Sequence, residues 1–120
     1  MKREEFIEEW IKALESGEYK QGHGRLVTDR GDYKEYCCLG VACDVAKEKG
    51  IIKTRRTYQD RGYLTSKIAQ FMGITQRGEF RKPIRVGNKF FYNLAQLNDN
   101  FVSFKRIAKI IRKQIDGGNL

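Results

Sequence analysis

Apolar residues recur at helical spacing from the start of the chain. Phe6, Ile7, Trp10, Ile11 and Leu14 fall on one side of a helix, with glutamates between them, and predict a helix over 3–16. Glu4, Glu5, Glu8 and Glu9 lie in its first two turns, where the helix dipole favours negative charge, and Gly17 suits the position past its end. Residues 18–36 are polar and turn-rich. Within them, 25–28 predicts a short strand and 33–36 its partner, joined across 29–32. The run 37–49 is the most apolar of the chain. Cys38, Val41, Ala42 and Val45 repeat at threes and fours, which predicts a buried helix closed by Gly50.

The second half is more basic. Residues 51–62 read as irregular. Thr65 is placed to cap a short helix that carries Ile68, Phe71 and Met72 on one face and ends at Gly73. Residues 80–92 predict a hairpin. Phe80, Ile84 and Val86 share one face, Arg81 and Arg85 point away, and Gly87-Asn88 makes the turn before Phe90, Phe91 and Tyr92. Pro83 marks the first strand as an edge. A short helix over 93–99 follows. Ser103 then caps a last helix with Phe104, Ile107, Ala108, Ile111 and Ile115 as its apolar stripe. No repeat or linker divides the chain. The expectation is a single small α+β domain over 1–120, with about four helices packed on a small antiparallel sheet.

Composition narrows the class. The chain has 120 residues, with seven Phe, six Tyr and one Trp, enough bulk to bury and to exclude a disordered tail. No run approaches a membrane span, and the acidic, amphipathic N-terminus has no apolar core of a secretory signal. Three cysteines lie between positions 37 and 43, an odd number crowded together, which points to a reduced, cytoplasmic protein. The net charge is +9, unevenly spread. Residues 1–18 hold three basic and six acidic residues, a net of −3, and 19–120 hold the other twenty-one basic and nine acidic ones, a net of +12. A domain this basic attracts polyanions: nucleic acid, nucleotides, phosphorylated ligands or an acidic protein.

Five segments bear on chemistry. Cys37, Cys38 and Cys43 do not have the paired spacing of a zinc site, and the apolar run around them predicts small buried hydrophobes instead of ligands or nucleophiles. The stretch 20–25 holds two glycines with Gln21, His23 and Arg25. It reads either as a phosphate cradle or as a plain surface loop, and it lacks the spacing of a Walker loop or a dinucleotide fingerprint. The hairpin places Arg81, Arg85 and Lys89 among Phe91 and Tyr92, so cations and rings are available to hold a phosphate and stack a base. The opposing reading is core aromatics with a solvated basic edge. The last helix carries Lys105, Arg106, Lys109, Arg112 and Lys113 opposite its apolar stripe, either a solvated face or a track for a phosphate backbone. Asn98, in the Asn-Asp-Asn cluster 98–100, suits a helix cap or a hydrogen bond to a ribose or base edge. Nothing matches a hydrolase triad or a glycosidase carboxylate pair.

Three pieces carry a resemblance: Trp10-x-x-Ala13-Leu14-x-Ser16-Gly17-x-Tyr19-x-Gln21-Gly22; Tyr36-Cys37-Cys38-Leu39-Gly40-Val41-x-Cys43-Asp44; and Leu94-x-x-Leu97-Asn98-Asp99 with Ser103-Phe104-x-x-Ile107-Ala108. In this order they resemble a group of small proteins encoded by bacteriophages and prophages, of unassigned function. The resemblance spans most of the chain, implies no catalytic residues, and leaves 77–92 unmatched. It implies an accessory protein that acts by sequestration in the host cytoplasm.

The sequence reading is therefore a non-enzymatic protein, without metal or cofactor, that binds an anionic nucleotide-like ligand such as a host immune signal. Gln21, His23, Arg25, Arg81, Arg85, Lys89, Phe91, Tyr92 and Asn98 are the expected contacts, and a homo-oligomer is the expected assembly. The alternatives are DNA or RNA binding through the last helix and the hairpin, and inhibition of an acidic host protein.

Overall fold

The computed structural model describes residues 1–53, 58 and 61–120. The reading of 51–62 as irregular falls partly on residues 54–57, 59 and 60, which lie outside the described residues. Ten elements follow in order: helix α1 (Arg3–Glu15), strands β1 (Lys20–Gln21), β2 (Val27–Asp29) and β3 (Lys34–Tyr36), helices α2 (Cys38–Glu48) and α3 (Ser66–Met72), strands β4 (Glu79–Val86) and β5 (Lys89–Asn93), and helices α4 (Leu94–Asp99) and α5 (Phe104–Asp116). The α+β class is as expected, with five helices among the described residues instead of four.

After α1, the helices begin where side chains can satisfy their free N–H groups. Thr65 Oγ1 accepts from Ile68 N, Asn93 Oδ1 from Gln96 N at 2.7 Å, and Ser103 Oγ from Arg106 N. At α2 the cap is a thiol: Cys37 Sγ accepts from Gly40 N at 3.3 Å. α1 buries the five apolar residues that its spacing picks out, packing on α2 and α5, and Trp10 Nε1 donates to Cys38 O at 2.8 Å. α2 is buried on all sides from Cys38 to Ala46, as a central helix must be. Only hydrogen fits at Gly40, because a Cβ there would lie 1.7 Å from Leu26 O.

The sheet structure is divided. β3 is the centre of one sheet, with β2 antiparallel to it (Thr28 opposite Glu35) and β1 parallel (Lys20 opposite Glu35). The parallel strand was not expected, because two residues carry no alternation to read. β4 and β5 form the expected hairpin. Ile84 pairs with Phe91 toward the core and Arg85 with Phe90 toward solvent. Between Glu79 and Ile84 the register slips. There Asn119 covers the outer edge of β4: Asn119 O accepts from Arg81 N, and its side-chain amide bonds both Lys82 N and Lys82 O.

The acidic start of the chain meets its basic end. Arg112 of α5 makes a two-pronged ion pair with Glu8 of α1, at 3.0 and 3.1 Å. That bond holds the Glu8 carboxyl below the ordinary carboxylate range. No helix among the described residues is long and apolar enough to cross a membrane.

Candidate functional site

The three sequence pieces that carry the resemblance meet at one side chain. Asn98, on α4, is 0% exposed. Its Oδ1 accepts from Gln21 Nε2 at 2.9 Å and from Cys38 N at 3.1 Å, and its Nδ2 donates to Gly22 O at 2.7 Å. Gln21 Nε2 also donates to Val102 O at 2.8 Å. Two expected ligand contacts are corrected here. Asn98 is out of reach of any ligand, and the Gln21 amide nitrogen is committed to internal acceptors. Both amides tie β1, α2 and α4 together.

Above this floor the glycine loop and the two chain ends of α4 enclose a polar cleft of about 420 Å³, lined chiefly by Gly24, Tyr63, Arg77, Gln96, Asp99 and Asn100. A second hollow of about 330 Å³, which adds Thr75 and Glu79, shares the Tyr63 and Arg77 wall. The Arg77 guanidinium lies over the Tyr63 ring, 5.8 Å from its centre. Asp99 accepts from Gly24 N at 2.9 Å, which fixes the loop against α4. Asn100 accepts from Lys89 Nζ at 2.7 Å, which brings that cation to the rim. Gln96 Oε1 accepts from Tyr92 N at 2.8 Å, joining β5 to the same wall. His23 and Phe101, neighbours of the lining residues Gly24 and Asn100, are in tilted ring contact, with centres 4.3 Å apart and planes at 46°.

None of the expected contacts lines the cleft itself: Lys89 is bonded to the lining residue Asn100, His23 precedes the lining Gly24, Tyr92 is bonded through its backbone to the lining Gln96, and Arg25 is an exposed residue one step along the loop. Arg81 and Arg85 are exposed on the hairpin and do not line it. Phe91 is a further correction. It is 4% exposed, lies across from Ile84 and is covered by Lys89, so it cannot stack a ligand, whereas its neighbour Phe90 is 56% exposed beside Arg85. On α5, Lys105, Arg106, Lys109 and Lys113 are exposed, but Arg112 is engaged by Glu8. Tyr63, Arg77 and Phe101 were not singled out by the sequence. Arg77 and Tyr63 are fourteen positions apart in irregular segments, and no spacing rule links them.

The cysteines follow the expectation of buried hydrophobes. All three are free and buried, and burial pushes the Cys37 thiol up to about 11 and raises those of Cys38 and Cys43 well above the ordinary thiol range. Among the described residues, no three His, Cys, Asp or Glu side chains are grouped as metal ligands.

Residues 1–115 match the model of a domain of unknown function, DUF8296. The chain belongs to this family. The match to DUF8296 includes every residue of the Asn98 network and of the cleft. No curated protein and no solved structure matches the chain.

Proposed function

We propose that the chain binds an anionic, nucleotide-like ligand in the cleft beside α4 and acts by holding it, as a phage-type accessory protein does when it sequesters a host signal. The observation that carries this reading is the Arg77–Tyr63 pair on the wall of a polar cleft, with Lys89 held at the rim by Asn100. The guanidinium and the ammonium supply charge for phosphate, and the ring supplies a face for a base. The Gln96 amide nitrogen is suited to a base edge, and the Asp99 carboxylate, which repels phosphate, suits a ribose hydroxyl. The volume lies within the range of small-molecule sites. These groups recognise; they do not form a nucleophile and base, which favours a binding role over a catalytic one.

The test is titration of the full chain with cyclic and linear mono- and dinucleotides, followed by calorimetry and thermal shift. Binding by at least one is expected, weakened roughly tenfold or more in Arg77→Ala with the melting temperature unchanged. The absence of heat and of thermal shift across the whole panel would reject the reading.

A second reading, nucleic-acid binding along α5, is favoured by Lys105, Arg106, Lys109 and Lys113, all exposed on a helix with no acidic residue before Asp116. It requires affinity for DNA or RNA that falls steeply with salt as counterions are released. A gel shift at low salt with no complex would dismiss it.

A further inference from the structure

Phe101 occupies a position that helix endings normally give to glycine. After α4, Phe101 N donates to Asn98 O and Val102 N to Leu97 O, both at 3.2 Å, which are the two bonds of a Schellman closure. The residue between them must be left-handed, and Phe101 is, with φ at +64°; it is the sole non-glycine residue with positive φ among the described residues. A side chain in this region crowds the backbone, so the position carries strain that glycine would not have. Burial does not offset it, because the ring is 77% exposed. Strain held without a packing reward collects at functional positions.

The surroundings say what the ring serves. It rests against His23, 4.3 Å away, and most of its surface stays open to solvent. Its neighbour Asn100 lines the cleft and holds the Lys89 ammonium, while the residue after His23, Gly24, lines the same cleft. A flat apolar surface beside fixed positive charge matches a planar base attached to phosphate.

We infer that Phe101, backed by His23, is a stacking platform for the nucleobase of the bound ligand, and that its strained position is retained for that contact. This rests on the cleft binding a nucleotide-like ligand. The probes are the 5′-phosphorylated ribomononucleotides and ribodinucleotides, titrated into the full chain and into Phe101→Gly and Phe101→Trp. Phe101→Gly is expected to melt about 2–5 °C higher, since glycine adopts the left-handed turn without crowding. It is also expected to bind roughly ten- to a hundred-fold more weakly, having lost the stacking face. Phe101→Trp keeps a ring and is expected to bind within a few-fold of the native chain. Native affinity in Phe101→Gly overturns the platform and leaves the cleft standing. A lower melting temperature in Phe101→Gly also overturns it, whatever the affinity, because the ring is then structural. If the native chain binds none of the probes, the platform and the nucleotide reading both fall.

Discussion

Asn98 Oδ1 accepts the backbone N–H of Cys38 at 3.1 Å, although 60 residues separate the two in sequence. The same amide holds Gln21 and Gly22, so the start of the first sheet, the central helix and the short helix beneath the cleft are set by a single fully buried side chain.

Removing that amide strands several buried polar groups at once. Asn98→Ala is expected to lower the stability by about 2–4 kcal/mol, as Cys38 N and Gly22 O lose their partner. Asn98→Asp should be worse, since an acceptor then faces Gly22 O and a charge is placed in the interior. Urea unfolding of both variants measures this. A loss within experimental error for Asn98→Ala would mean that the network does not organise the fold.

Gly40 tolerates nothing larger than hydrogen. With Leu26 O 1.7 Å from where a Cβ would stand, Gly40→Ala must push the segment leading into β2 away from the central helix, and a loss of about 3 kcal/mol or more is expected. Soluble yield and chemical unfolding report it.

The thiols should be silent in the folded protein. Cys37 has its thiol pushed up to about 11 and accepts the Gly40 N–H, while burial also raises Cys38 and Cys43 well above the ordinary thiol range. Iodoacetamide at pH 8 is therefore expected to modify all three only after unfolding, as counted by mass spectrometry. Cys37→Ser keeps an oxygen to accept from Gly40 N and should fold with nearly unchanged stability.

Stability should decline in alkali. Burial, followed by the 2.6 Å bond to the Asp44 carboxylate, raises the Tyr19 hydroxyl far above its usual range. The folded chain keeps that proton where the unfolded chain releases it, so the contribution is full below about pH 10 and is lost as the pH rises beyond it. Tyr19→Phe is expected to lose about 1–2 kcal/mol at neutral pH and to flatten the alkaline slope. Unfolding free energies measured from pH 7 to 11 would show a parallel slope in both proteins if Tyr19 were not the titrating group.

At the acid end the sign reverses. Glu8 is held below its ordinary range by Arg112, so its contribution is present at neutral pH and lost as the pH falls through the carboxylate range. Both partners are exposed, and 1 M salt should mute the effect. The same pairing gives a contrast on α5. If that helix tracks a nucleic acid, Lys109→Ala should reduce the salt slope by about one, while Arg112→Ala, already neutralised by Glu8, should reduce it less.

The helices and the hairpin were legible because their signals are local. Apolar spacing in α1 and α5, a hydroxyl or amide at the starts of α3, α4 and α5, and Gly87-Asn88 between two strands all act within a few residues of one another. The candidate site was less so. Gln21 and Asn98 looked like ligand contacts because a polar side chain in a loop or cap has the same appearance whether its partner is a ligand or a backbone carbonyl. Phe90, Phe91 and Tyr92 form an unbroken aromatic run, with no polar residue to mark the solvent side.

By itself, then, the amino-acid order determined the helices and the hairpin, the α+β class, the buried cysteines and the strongly basic character, since each follows from periodicity or composition. Only tertiary structure decided which aromatic faces water, which amides are already satisfied, and that Tyr63 and Arg77 form the wall of a cleft whose Asn100 bonds Lys89 and precedes Phe101. Those outcomes depend on partners up to 81 positions away, such as the Gln21–Val102 bond, and on the packing of one backbone against another. Neither leaves a pattern that can be read along the chain.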